Sequence, residues 1–121
     1  MVRLSLAVSL AVMAALPARA QDAEAGQVVF KQVCGICHDA AEGKNRIGPS
    51  LHALVGRTAG QVPNFRYSEA NKNSGLVWDT ATLDRYLLNP KAVIPGTTMS
   101  YAGMKDDHKR ADLVAYLQTL K

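Results

Sequence analysis

Cys34-Gly35-Ile36-Cys37-His38 is the stretch on which the reading of this chain turns, and it holds both of the chain's cysteines. In a helical turn, positions three and four apart share a face, so Cys34, Cys37 and His38 point the same way. C-x-x-C-H is the spacing of covalent c-type haem attachment: two thiols form thioethers to the haem vinyl groups and one imidazole reaches the iron. Three other uses of the pair fit less well. A disulfide across two intervening residues closes a tiny loop and staples little. Structural zinc needs four ligands, and there is no second cysteine pair, while His52 and His108 stand alone. A thioredoxin-like redox pair belongs in a βαβ unit, and no such pattern surrounds it. The expected cofactor is one covalently bound haem c.

The flanking sequence is helical in character. Before the motif, Ala25, Val29 and Val33 recur on one face with Gly26 and Phe30 beside them, which predicts a helix over 22–33. Asp22 and Glu24 fall in its first turn, where acidic side chains suit the helix dipole. Asp79 reads as the N-cap of a second helix, which stops at Asn89 because a residue before proline avoids helical backbone. A third spans 106–120, with Leu113, Tyr116, Leu117 and Leu120 as its apolar stripe and Lys109, Arg110, Asp112 and Gln118 elsewhere. Ser68 is placed to cap a short turn over 69–72. No alternating strand, internal repeat or low-complexity tract is present. Residues 39–67, interrupted by Gly43, Gly48, Pro49, Gly56, Gly60 and Pro63, and residues 89–104 lack periodicity. Loops of that length are uncommon in a small domain. They imply that the chain wraps around something the sequence does not supply. The expected fold is all-α: three main helices, short helical turns and long loops around one haem.

The 121 residues suffice for one domain. Residues 1–20 read as a secretory leader. Arg3 provides the positive start, residues 4–16 are apolar, and Ala18-Arg19-Ala20 is a small-x-small cleavage site. The apolar run is shorter than the roughly 18 residues of a membrane span and is followed by Pro17 and Arg19. Cleavage after Ala20 leaves a single domain over 21–121 and places it in the periplasm. Loss of Arg3 and Arg19 lowers the formal charge from +4 to +2. Such a balance fits mild electrostatic steering and speaks against a nucleic-acid or membrane-surface binder. A domain of this size buries only about 60–70% of the surface its unfolded chain exposes, so an added apolar cofactor would complete its core.

The second axial position on the iron decides what the haem can do. Candidates are His52, His108, Met99 and Met104. His108 falls near the start of the last helix and His52 in a polar loop. Met104 reads as irregular core filling. Met99 follows Ile94-Pro95-Gly96-Thr97-Thr98, where Pro and Gly break any helix and present the side chain from a loop, so it is the expected ligand. His/Met ligation raises the reduction potential and leaves no open site for oxygen or peroxide.

With these residues in place, the chain resembles the class I cytochromes c, the mitochondrial-type cytochromes c and bacterial cytochromes c2. The resemblance runs from about residue 25 to residue 120. It is carried by Gly26 and Phe30, Gly48-Pro49-Ser50-Leu51-His52, Gly56-Arg57-Thr58-Ala59-Gly60, Tyr67-Ser68-Glu69-Ala70-Asn71-Lys72, Trp78, Tyr86-Leu87-Leu88-Asn89-Pro90 and Pro95-Gly96-Thr97-Thr98-Met99. It implies covalent haem on Cys34 and Cys37 with His38 and Met99 as axial ligands. The Pro49 carbonyl would then accept a hydrogen bond from His38. Arg57, Tyr67 and Trp78 would hold the haem propionates. Asn71, Tyr86 and Thr97 would form a polar network on the methionine side. Gly26 and Phe30 would pack on Leu113 and Tyr116 where the first and last helices cross.

The implied activity is one-electron transfer, not catalysis. The donor would be a membrane bc-type complex, and the acceptor a terminal oxidase, a photosynthetic reaction centre or a periplasmic reductase. The carrier itself would be a monomer that meets membranes only through those partners. Some positions depart from the family pattern. Tyr101 stands where phenylalanine is usual, and Val33, Asp106 and Asp107 stand where mitochondrial members often carry lysine. The cationic ring is thinned to Lys91 and Lys105, with Lys44 and Arg46 beside them.

Overall fold

Asp22 sits one residue ahead of the first helix and caps it, its carboxylate accepting from the Glu24 and Ala25 amides. The computed structural model describes residues 21–121; the leader read over 1–20 lies outside the described residues. Five helices follow: α1 (Ala23–Gln32), α2 (Glu69–Lys72), α3 (Thr80–Leu88), α4 (Pro90–Val93) and α5 (Asp107–Leu117), with a 3-10 turn at Cys34–Ile36. Each α-helix starts on an oxygen-bearing side chain that meets an orphan amide: Ser68 bonds the Asn71 amide, Asp79 that of Thr82, Asn89 that of Ala92 and Asp106 that of Lys109. Among the described residues there is no strand, only one isolated antiparallel bridge between Thr58 and Val77. The all-α expectation holds.

Three details differ from the sequence reading. Pro90 ends α3 as expected, but it also opens α4: at the first helical position its missing N–H has no partner to lose, and Asn89 caps the new helix. The last helix ends at Leu117 rather than 120. Beyond it the Thr119 and Leu120 amides tighten to the Tyr116 and Leu117 carbonyls, and the Thr119 hydroxyl bonds the Tyr116 carbonyl as well. Arg110 and Asp112, read as lying off the apolar stripe, are only 6% and 5% exposed. Arg110 lies three residues before Leu113 and seven before Leu117, which is the same face. Its guanidinium is accommodated there by Asp84 Oδ1 at 2.7 Å, Asp107 Oδ1 at 2.8 Å and the Met104 carbonyl at 3.0 Å. Asp112 Oδ1 accepts from the Asp22 amide at 2.9 Å and so ties the start of α1 to α5.

The core forms where α1 and α5 cross. Val29 and Phe30 pack with Leu113, Val114 and Leu117, and the Phe30 and Tyr116 rings meet at 5.2 Å. At the crossing Gly26 has no room for a side chain: a Cβ there would run into the Asp112 carbonyl oxygen and reach within 2.9 Å of Tyr116 Cβ. The crossing anchors the chain immediately upstream of Cys34. On the far side, the Met104 amide bonds the Leu87 carbonyl at 2.8 Å, and Met104 is buried as core, as expected.

Among the described residues, two loop residues other than glycine take left-handed backbone, Ala53 and, at φ 61°, Asn64, and asparagine tolerates that region where alanine does not. Ala53, exposed, has φ 50°, the left-handed region that costs an L-residue roughly 1–2 kcal/mol. Glycine avoids that cost but loses more entropy on folding. Ala53→Gly is therefore expected to stabilise the holoprotein by about 0.5–1 kcal/mol, read as a higher guanidinium midpoint. A midpoint at or below that of the unsubstituted protein would refute it.

Candidate functional site

The chain leaves α1 through Val33 and enters the 3-10 turn, with the Cys37 and His38 amides both donating to the Cys34 carbonyl. That turn brings Cys34, Cys37 and His38 onto the wall of one cleft of about 530 Å³. The volume lies within the roughly 300–1,000 Å³ of small-molecule and cofactor sites. The same cleft is lined by Pro49, Arg57, Tyr67, Asn71, Trp78, Tyr86, Thr97 and Met99. The eleven residues expected at the site from the sequence thus all meet in one cavity, although they come from the attachment segment, both long loops, α2, α3 and the connection between those two helices. His52 and His108 do not line it.

The donor chemistry follows from local geometry. His38 Nδ1 lies 2.7 Å from the Pro49 carbonyl oxygen. A carbonyl only accepts, so Nδ1 carries the hydrogen and Nε2 keeps its lone pair, the form in which imidazole binds metal. Burial holds His38 below the usual imidazole pKa; the Pro49 bond opposes this, while the Arg46 and Arg57 cations add to it. The unprotonated ring is thereby favoured. Gly48 makes the approach possible, because a Cβ there would collide with the His38 ring. Both cysteines are free thiols. Burial, with the Cys37 sulfur nearby, pushes Cys34 up to about 11, so it stays protonated in an apolar setting.

Elsewhere in the cleft, the Tyr86 hydroxyl donates to Met99 Sδ at 3.6 Å, and the Met99 amide bonds Thr97 Oγ1 at 3.3 Å. Burial raises the Tyr86 pKa, with Thr97 opposing, so the phenol remains a donor. Its ring sits 4.8 Å from that of Trp78. Arg57 is held by its own loop, Nη1 donating to the His52 carbonyl at 2.9 Å and Nη2 to that of Ser50 at 3.1 Å. The Tyr67 hydroxyl accepts from the Val62 amide at 3.2 Å. Asn71 Oδ1 is buried without a hydrogen-bond partner. A buried polar oxygen facing a cleft is costly unless something in that cleft satisfies it. Two thiols, a neutral imidazole, a thioether, the half-buried Arg57 cation and this oxygen form a donor set that fits haem c. Among the described residues, no group of three or more His, Cys, Asp or Glu is arranged to hold a metal ion by itself.

Sequence reasoning did not anticipate some residues. Asn45 ties distant parts of the 39–67 loop together, its Nδ2 donating to the Pro63 carbonyl and its Oδ1 accepting from the Ser50 amide. Arg46, placed among the docking cations, instead turns its guanidinium back onto the attachment segment. Lys105 donates to the Leu88 carbonyl at 2.8 Å. Ile36 and Ile47 line the cleft while remaining 64% and 77% exposed, an apolar lip that no periodicity marked.

Comparison with known proteins meets this geometry from the other side. The cytochrome c family model matches residues 23–121. Cytochrome c2 of Blastochloris viridis is 50% identical over 103 residues, covering 84% of this chain and 80% of that protein. Cytochrome c of Euglena viridis is 46% identical over 100 residues, covering 83% of this chain and 98% of its own length. The solved structure of cytochrome cH from Methylobacterium extorquens superposes with a TM-score of 0.75 at 42% identity, over 81% of this chain and 98% of that one. The family match takes in all five helices and both long loops as well as the Cys–His segment. The cleft and its fold therefore come as one inherited unit, and the chain belongs to the class I branch of the cytochrome c family, electron carriers built on covalent haem c rather than enzymes.

Proposed function

We propose that Cys34 and Cys37 hold the haem covalently, that His38 and Met99 are its axial ligands, and that the protein shuttles single electrons in the periplasm. The observation that carries this reading is the His38–Pro49 bond in a cleft shared with two free thiols and Met99. The bound haem supplies the Fe(III)/Fe(II) couple. The chain's own task is to hold its ligands still. Pro49 orients the imidazole; Tyr86 and Thr97 orient the Met99 segment; Leu54, Trp78, Leu83 and Leu87 exclude water. Arg57, Tyr67 and Trp78 pair with the propionates, since burying those charges alone would be costly. Asn71 Oδ1, buried and without a partner, lines the cleft that the haem would fill. With His38 and Met99 both holding the iron, no position would be left for oxygen or peroxide, and little would need to move between oxidation states.

Residues 1–20 act as a leader removed after Ala20, leaving 21–121 as one monomeric domain. The donor is a membrane bc-type complex and the acceptor a terminal oxidase, a photosynthetic reaction centre or a periplasmic reductase. The small net positive charge makes docking only mildly steered by electrostatics. Reduced-minus-oxidised spectra of periplasm and membranes from a deletion strain, with respiration and light-driven turnover followed in parallel, test the assignment. A lost soluble c-type signal with slowed electron flow supports it. Unchanged flow through every chain, or haem absorbance only in membranes, overturns it.

A further inference from the structure

Arg46 is a surface residue by exposure, yet its guanidinium is committed inward. Nη1 donates to the Gly35 carbonyl at 2.8 Å and to the His38 carbonyl at 3.3 Å, and Nη2 to the Ile36 carbonyl at 3.3 Å. The backbone closes the same ring: the Arg46 amide bonds the Gly48 carbonyl and the Gly48 amide bonds the Cys37 carbonyl, each at 2.9 Å. Gly35 and Ile36 lie at the end of the 3-10 turn, where helical carbonyls run out of intrahelical partners and carry the negative end of the dipole. A guanidinium suits that position. It is planar, presents several donors in a rigid fork and keeps its charge at any physiological pH. Lysine could neutralise the dipole there, but with one nitrogen it could not span three carbonyls.

We propose that Arg46 is the positioning residue of the attachment segment: its fork locks the Gly35–His38 peptides so that Cys34, Cys37 and His38 face the cleft, and its fixed charge favours the reduced haem. The inference rests on the reading of Cys34–His38 as the haem attachment site. Each part of it has a separate basis. Orientation comes from the fork, which bonds the carbonyls on both sides of Cys37. The electrostatic part comes from a permanent cation on the ligand's own carbonyl, which disfavours the more positive oxidation state.

Haem-loaded Arg46→Lys and Arg46→Gln proteins test both parts. Amide hydrogen exchange is measured at Cys37, His38 and Gly48 against Leu113 as a remote reference, and the midpoint potential is measured alongside. Exchange at the three loop amides is expected to rise roughly tenfold or more in both variants, the change implied by losing hydrogen bonds to a charged group. The potential is expected to fall in Arg46→Gln and to stay with the unsubstituted protein in Arg46→Lys, which keeps the charge without the fork. Unaltered loop exchange in both variants overturns the clamp; an unaltered potential in Arg46→Gln overturns the electrostatic part. If instead the unsubstituted protein, matured with haem-attachment machinery, carried no haem absorbance, the attachment reading itself would be the one to fail.

Discussion

Gly26→Val is expected to remove on the order of 4 kcal/mol or more, a large share of the roughly 5–15 kcal/mol that holds a domain together. The reason is the nature of the obstacle. A Cβ at Gly26 meets the Asp112 carbonyl oxygen, a main-chain atom inside α5, and then Tyr116 Cβ. Neither is the far end of a flexible side chain, so the helices themselves must separate. Separation exposes Phe30, Leu113 and Leu117 together, breaks the Phe30–Tyr116 contact and pulls Asp22 from Asp112. Because α1 runs directly into the turn at Cys34, the damage extends to haem attachment. The measurement is the guanidinium midpoint of purified holoprotein, or its yield where none folds. Gly43→Ala is the control, since Gly43 has φ 70° but nothing within 4 Å of the added carbon. It pays only the roughly 1–2 kcal/mol of a left-handed L-residue. A Gly26→Val loss no larger than that of Gly43→Ala would show that the helix crossing does not exclude a side chain at Gly26, which lies in α1 without a left-handed φ.

Met99→Ala is expected to produce the largest change in redox properties. With the thioether gone, the weak far-red band of methionine-bound ferric haem disappears. The potential drops by on the order of a few tenths of a volt, within the roughly 0.8 V that axial ligation spans. Cyanide then binds the ferric protein quickly at low concentration. Met104→Leu separates ligand from core. Met104 is buried beside α3 and does not line the cleft, and a volume-conserving exchange there costs less than about 1.5 kcal/mol. Its spectrum and potential are expected to match those of the unsubstituted protein. A Met99→Ala protein that kept both the band and the potential would remove Met99 from the iron.

The two methionines also show how far sequence reasoning reaches. Both lie in a stretch broken by Pro and Gly, and their separation into ligand and core rested on the Pro95–Gly96 presentation of Met99. The structure places Met99 in the cleft against Tyr86 and buries Met104. The helix starts were legible for the same local reason. Asp79 and Ser68 cap through bonds to amides three residues on, so the whole interaction lies within one turn. Arg110 and Asp112 were misread because a charge on a helix is normally solvated. Their burial depends on Asp84 and Asp22, 26 and 90 residues away in sequence. Arg46 was equally illegible, since nothing in its flanking residues says that a surface cation will fold back across ten residues to the Ile36 carbonyl.

By itself, then, the sequence determined what is local: the Cys34–Cys37–His38 face, the caps, the periodic stripes and the two loops too long to stand without a cofactor between them. These depend on spacings of three or four residues, which the helix period converts directly into shared direction. Only the tertiary structure decided what depends on approach: that Gly26 lies against the Asp112 carbonyl, that Gly48 makes room for the His38 ring, that Asn71 Oδ1 is left waiting in the cleft, and that Arg46 is a clamp rather than a docking charge. Those facts arise from contacts between distant segments, where fractions of an ångström decide whether a group is paired, excluded or exposed, and such distances exist only once the chain has closed on itself.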